Sequence, residues 1–264
     1  MAYLFRTLKK WNKKKLRLIE MPPAINSNIP KWLKKHSKLY ARLVVLYLRV
    51  MTSKKDVIFF TEFLDTVASK QTISAEKLRQ NNVRAKLFGL VHLSEKHLLE
   101  VYGDETYIKE KLKLLDKIVV LGSSLGNYFS RLGFDQKVVS TFHYVENSYY
   151  KPIEAKKENQ RLRVIAMDSL KRNFTDLKTI VAATPDIDYD ICMGALSLED
   201  EFSAFDNVTL HGYLSDSELL QLMQGADVGL SVLEDTVGSN VITTSLACGL
   251  AQIVSDVGSI RDYC

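Results

Sequence analysis

Three small residues, Gly238, Ser239 and Asn240, stand immediately before the apolar run VITTSLACGL. Ser or Asn at such a point accepts hydrogen bonds from the first N–H groups of a helix, and a glycine beside it lets another group approach the backbone closely. The same N–H groups, at the positive end of the helix dipole, hold phosphate without needing a basic side chain. Two readings stand side by side: a plain cap on Ser239 or Asn240, and an anion cradle. The loop LEDTVGSN follows the apolar run DVGLSVL, and in an open parallel sheet ligands collect where loops leave the carboxyl ends of strands.

Two further strand ends carry chemistry. His92 closes AKLFGLVH, and Lys171 and Arg172 follow RVIAM. For His92 a satisfied histidine at a strand end is the alternative to a functional one. The cysteines, Cys192, Cys248 and Cys264, have no metal-binding spacing. They read as reduced thiols in a cytosolic compartment, the first two as buried small hydrophobes.

Positioning these residues takes a regular alternation of elements. Strands are expected at 56–60, 85–92, 117–122 and 137–143, then at 163–167, 188–195, 207–213, 227–233 and 251–258. Helical stretches fall between them: one ending in AEKLRQN, one over SSLGNYFSRLGF closed by Gly133, and one over NFTDLKTIVAAT. A further helix has Ser215 or Asp216 as its cap and Glu218 in its first turn, and the last runs from about Asn240 to Leu250. Runs of Val, Ile and Leu without alternation mean strands buried on both faces, hence parallel sheets between helices. The fold class is α/β: two Rossmann-like, doubly wound domains, 1–148 and 149–264, joined by the polar segment near 146–162 that contains Pro152. A chain of 264 residues with 46% hydrophobic content is long enough to fill both cores.

Charge is divided unevenly. Residues 1–55 carry fifteen Lys and Arg against Glu20 alone, a net of +14, whereas the remainder carries 21 basic and 30 acidic residues, a net of −9. Such a concentration is an electrostatic footprint for phosphate on nucleic acid or on an anionic membrane. No RNA-stacking or helix-turn-helix pattern accompanies it, so a membrane surface is favoured and nucleic acid is not expected. A solvated helix face is the alternative. Residues 6–55, with Lys9, Lys10, Lys13 to Lys15, Lys31, Lys34, Lys35 and Lys38 around Trp11 and Trp32, form the expected contact. The longest apolar run, Leu43 to Leu48, is bounded by Arg42 and Arg49 and is too short to span a bilayer or serve as a signal peptide. A cytoplasmic protein, peripheral at the inner face of the membrane, is the expected setting.

The order of elements carries a resemblance. The segment NVTLHGYLSDSELLQLMQGADVGLSVLEDTVGSNVITTSLACGLAQIVSDVGSI resembles the donor-binding half of GT-B glycosyltransferases, in particular the retaining enzymes of family four. There a strand ending in Gly, a helix, an AD pair, a buried strand, a small-residue loop, a helix ending ACG and a strand ending SDVGG follow in this order, the last matched here by Ser255 to Gly258. RVIAMDSLKRNFTDLKTIVAA is similar to the first strand and loop of the same domain. DKIVVLGSSLGNYFSRLGF and FHYVENSYYKP look like the last units of the other domain and its crossover.

The resemblance implies two domains facing a cleft and an enzyme moving a hexose from a nucleotide-diphosphate sugar to an acceptor hydroxyl, with retention. It needs no metal and no cofactor beyond the donor, and it suggests a glycan or lipid-linked acceptor in surface polysaccharide or glycolipid synthesis. It places Lys171 or Arg172 on the diphosphate, with Ser169 near the place of an arginine. His92 would face the donor sugar and share the cleft with Arg172. Tyr213, Thr236, Gly238, Ser239, Asn240 and Thr244 would complete the donor site. Thr236 and Thr244 stand where the family carries glutamates, and a threonine hydroxyl cannot stabilise developing positive charge as a carboxylate does. Glu234 or Asp235 could supply the first carboxylate. The resemblance covers roughly residues 50–264 and implies a chain incomplete at both ends. A non-catalytic binding or scaffold protein is the rival reading. A dinucleotide enzyme is disfavoured, because no GxGxxG follows any strand.

Overall fold

In a computed structural model of the chain, the structure describes residues 31–66, 69–154, 158–194 and 196–264, together with Leu16, Arg17 and Ile19. The chain divides into two compact units, Met1–Phe142 and His143–Cys264. The cluster from Lys9 to Lys15 with Trp11 lies outside the described residues. So do the side chains of Lys31, Trp32, Lys34, Lys35 and Lys38, although these positions belong to a helix.

Among the described residues, the first helix of the first unit is α1 (Lys31–Met51). The unit continues through β1 (Val57–Phe60), α2 (Lys70–Gln80), β2 (Lys86–Val91), α3 (Glu95–Tyr102), α4 (Glu105–Lys113), β3 (Lys117–Val120), α5 (Ser123–Phe129) and β4 (Val138–Ser140). The four strands pair in parallel in the order β1-β2-β3-β4. Ser94 and Asp104 cap α3 and α4 by accepting from the backbone N–H groups of His97 and Thr106. Gly133, at φ 91°, ends the helical segment that begins with α5, because only glycine adopts the left-handed backbone there without steric cost.

The second unit runs β5 (Arg163–Met167), α6 (Phe174–Ala183), β6 (Asp188–Cys192), α7 (Glu199–Phe202), β7 (Val208–His211), α8 (Asp216–Gly225), β8 (Val228–Ser231), α9 (Asn240–Ala247) and β9 (Ala251–Val254). Its strands are all parallel, in the order β7-β6-β5-β8-β9. The chain therefore builds outward from β5 in one direction, returns, and builds outward in the other. One face of the sheet packs Val164, Ala166, Tyr189 and Ile191 against Leu177, Val181 and Phe202 of α6 and α7. The other packs Ile165, Met167 and Cys192 against Met223 of α8 and against Cys248 and Leu250, which follow α9. Ser215 is the cap of α8 and forms a full capping box with Glu218.

Both sheets are parallel and α/β as the apolar runs require, but burial follows position in the sheet. β5 and β6 are buried after their first residue, whereas the edge strand β9 alternates between exposed and half-buried positions. An edge strand has a neighbour on one side only, so its side chains keep part of their solvent contact however apolar they are. Cys192 and Cys248 are buried and Cys264 is exposed; burial, with Asp190 adding to it, pushes the Cys192 thiol up to about 12.

This order makes one contrast measurable. Ile165→Ala, in the buried centre of β5, should cost about 2–5 kcal/mol through lost burial and the cavity left behind. Ile253→Ala, on edge strand β9 and 61% exposed, should stay within about 0.5 kcal/mol. Denaturant unfolding of the two variants checks the assignment of centre and edge.

Candidate functional site

Neighbouring strands β5 and β8 mark the place where the order of the second sheet reverses. Loops leaving the carboxyl ends of two such strands diverge to opposite faces and leave a crevice between them, the usual ligand position in an open α/β sheet. Here the two loops are tied together. Asn173 N–H donates to Val232 O at 3.0 Å, Glu234 N–H donates to Lys171 O at 2.9 Å, and Arg172 and Leu233 form an antiparallel bridge. The loop after β9 joins them: Ser259 N–H donates to Thr236 O at 2.8 Å, and Leu233 N–H donates to Ser255 Oγ at 2.9 Å. Gly258 allows this approach. It sits at φ 57°, and a Cβ there would lie 2.0 Å from Thr236 O.

At the start of α9, Ser239 is the cap and is itself buried; its Oγ accepts from Ile242 N–H at 3.4 Å. Asn240 is the first helical residue and is exposed. Among the described residues, the N–H groups of Ser239, Asn240 and Val241 have no protein acceptor, as expected of donors in the first turn of a helix. Gly238 behaves otherwise. Its N–H donates to Thr236 Oγ1 at 3.1 Å, and its φ of 127° lies where a side chain is strained. Its role in the loop is therefore conformational, beside whatever access it allows.

The two threonines have one hydrogen-bonding role each already taken. Thr236 Oγ1 accepts from Gly238 and keeps its own proton to donate. Thr244 Oγ1 donates to Asn240 O at 2.8 Å, with Val241 O at 3.0 Å, and keeps lone pairs to accept. Of the two acids in the loop, Asp235 Oδ1 accepts from Thr236 N–H at 2.8 Å, while Glu234 is exposed.

The loop after β5 is strained. Asp168 and Lys171 adopt φ of 71° and 53°, a left-handed backbone that costs about 1–2 kcal/mol for most side chains. Asp168 offsets part of this: its Oδ1 accepts from Ser169 N–H at 2.7 Å and from Leu170 N–H at 3.2 Å. Arg172 is turned inward, its side chain 7% exposed; Nε donates to Met167 O at 3.1 Å and Nη2 lies 3.4 Å from Asp168 Oδ2. Burial lowers its pKa and Asp168 opposes the shift, so the guanidinium stays a cation that braces the loop. Lys171 is half-buried beside it. Tyr213 is 86% exposed and follows β7, two strands away from β5, so the sheet order does not bring it to the crevice.

In the other unit, His92 follows β2. Its Nε2 lies 2.8 Å from Thr61 O, beyond β1, and 3.7 Å from Glu62 Oε2. A carbonyl accepts only, so Nε2 carries the proton and Nδ1 is left for other partners. Burial raises the Glu62 pKa and His92 pulls it back down. Sequence reasoning missed Glu62; the signal was its place two residues beyond the strand DVIFF. Among the described residues, no group of three or more His, Cys, Asp or Glu could hold a metal ion, and no helix is long and apolar enough to cross a membrane.

The fold is of the GT-B type. The structure is similar to sucrose-phosphate synthase from Thermosynechococcus elongatus, with a TM-score of 0.69 and 16% identity over 92% of this chain and 66% of the other. It is also similar to a UDP-forming α,α-trehalose-phosphate synthase from Burkholderia xenovorans in complex with glucose-6-phosphate, at a TM-score of 0.65 and 12% identity over 89% and 70%. For the catalytic domain of starch synthase IV from Arabidopsis thaliana, bound to ADP and acarbose, the TM-score is 0.62 at 10% identity over 84% and 61%. At these identities the likeness shows the fold. The chain spans about two thirds of the length of these structures. No family model and no curated protein matches the sequence.

The bracing of the crevice is testable without a ligand. Arg172→Ala removes the side-chain donor to Met167 O and to Asp168 Oδ2 and should cost about 1–3 kcal/mol. Gly258→Ala should cost at least as much, since the new methyl group must displace the Thr236 carbonyl at a left-handed backbone position. Chemical denaturation of both variants reads these losses.

Proposed function

We propose that this chain is the core of a glycosyltransferase that binds the diphosphate of a nucleotide-diphosphate sugar at the crevice between β5 and β8. The observation that carries the reading is the start of α9 at the reversal point of the sheet. There the N–H groups of Ser239, Asn240 and Val241 lack protein acceptors. Backbone hydrogen bonds tie the loop leading into them to the loop bearing Lys171 and Arg172. Diphosphate is the leaving group when a glycosyl bond of such a donor breaks. Fixed N–H dipoles that meet its growing negative charge lower the barrier without reorganising at the moment of reaction.

The finer assignments follow from the resemblance. The proposed reaction moves a hexose to an acceptor hydroxyl with retention, in surface polysaccharide or glycolipid synthesis, with a glycan or lipid-linked acceptor. Thr236 can donate to a sugar oxygen and Thr244 can accept from a hydroxyl of the donor. Glu234, exposed on the same loop, is the carboxylate best placed to take the role of the family's missing glutamate. His92 would serve on the side of the N-terminal unit, with Nδ1 as its working nitrogen. A second reading, a non-catalytic nucleotide-sugar binding protein, is favoured by one observation: both threonine hydroxyls are already engaged with the backbone. Release of free nucleotide from a nucleotide sugar, with or without added acceptor, separates the two.

Asn240→Asp tests the phosphate site with effects of opposite sign. A carboxylate in the first turn of α9 favours the helix dipole and should hold or raise stability by about 0.3–1 kcal/mol. The same charge repels a diphosphate and should weaken binding of UDP and GDP at least about tenfold. Calorimetric titration and thermal unfolding of the wild type and the variant check both. Unchanged nucleotide affinity in the variant, or no affinity in the wild type, would reduce the loop to a helix cap.

A further inference from the structure

From Leu39 to Met51 helix α1 has two apolar faces, and among the described residues only one of them is packed. Val44 and Val45 are buried and Leu48 is half-buried on the side that packs against α2. On the opposite side Leu39, Leu43, Leu46 and Val50 follow one another at helical spacing, and all are exposed, Leu43 at 55% and Val50 at 72%. Between Leu39 and Met51 the charged residues are Arg42 and Arg49 alone. A helix with an outward apolar stripe at these positions has no reason to expose it to water.

The charges beside the stripe are of one sign. Arg42 and Arg49, a helical repeat of seven apart, flank it and line an open cavity of about 360 Å³ together with Val45, Leu46, Lys77 and Asn81. Arg49 donates to Asn81 Oδ1 at 3.4 Å, and among the described residues no carboxylate pairs with Arg42, Arg49 or Lys77. Arg17 adds a further cation at the margin, where it donates to the Tyr47 hydroxyl. An apolar stripe with a cationic border is the pattern of a helix lying in a bilayer interface, its leucines among the acyl chains and its cations at lipid phosphates.

We propose that the outward face of α1 is the surface by which this protein docks on an anionic bilayer, with the cavity bounded by Arg42, Arg49 and Lys77 receiving lipid phosphate. The occupant follows from charge: a border of unpaired cations disfavours a second, equally basic copy of the same face and suits a polyanionic surface. The docking face lies in the first unit and stands independently of the nucleotide-sugar reading, which concerns the second.

The experiment is co-sedimentation of the full chain with vesicles of phosphatidylcholine alone and of phosphatidylcholine mixed in equal parts with phosphatidylglycerol. The comparison uses Leu43→Glu/Leu46→Glu, Arg42→Glu/Arg49→Glu and the wild type, with thermal unfolding and UDP binding followed in parallel. Wild-type protein should bind the anionic vesicles and favour them over neutral ones. Salt should weaken the binding, and the double arginine variant should reduce it by at least about 25-fold. The leucine variant should lose binding even at low salt, with unfolding and nucleotide affinity unchanged because the altered positions are exposed. Equal binding to both vesicle types, or binding retained by the folded leucine variant, would overturn the proposal. Sedimentation velocity without lipid adds the other outcome: concentration-dependent self-association abolished by Leu43→Glu/Leu46→Glu would assign the face to a second copy of the chain and overturn it as well.

Discussion

The candidate site depends on a short run of backbone hydrogen bonds that joins the loop after β5 to the loop after β8. Glu234 N–H to Lys171 O and Asn173 N–H to Val232 O continue the pairing of two adjacent parallel strands into an antiparallel contact beyond the sheet. Loops at a sheet reversal are free to splay, because their helices lie on opposite faces. Here they are held edge to edge, and Arg172 braces one of them from inside by bonding Met167 O and Asp168. Preorganisation of this kind matters for an anion site, since N–H groups bind phosphate well only when they need not move to do so.

The strain in the loop after β5 fits the same logic. Left-handed backbone at Asp168 and Lys171 is retained because the Asp168 carboxylate caps two N–H groups and because the loop after β8 fixes Lys171 through its carbonyl. The glycines divide the labour differently. Gly258 is needed for space beside Thr236 O, and Gly238 for its backbone angle. Their neighbours Thr236 and Ser239 then accept from the N–H groups of Gly238, Ser259 and Ile242.

Much of the fold was legible because parallel sheets impose a local signature. A strand covered by helices on both faces must be apolar throughout, and RVIAM and DVGLSVL say so without reference to anything distant. Caps were legible for a similar reason: Ser215 with Glu218 needs only a spacing of three residues to make a capping box. The pair α3 and α4 went unread, although Ser94 and the Gly103–Asp104 step mark both starts, because segments this short, of about two turns each, are hard to tell from loop by pattern alone. Edge strands were read as buried because an apolar strand does not state how many neighbours it has. The state of Arg172 was equally hidden: nothing in LKRN distinguishes a cation turned toward a ligand from one turned beneath its own loop.

By itself, then, the amino-acid sequence determined the strands of both sheets, the helices α2, α5, α6, α8 and α9, the cap of α8, and that Gly238, Ser239 and Asn240 open α9, because each of these follows from interactions between residues close along the chain. The tertiary structure decided that β5 and β8 are neighbours, that their loops are bonded into one rim, that the Gly238 N–H is taken by Thr236 while those of Ser239, Asn240 and Val241 are left over, and that α1 keeps an apolar face in water. These depend on strand order and on which surfaces meet, and such long-range pairings are set by the packing of the whole unit, which no local pattern of residues encodes.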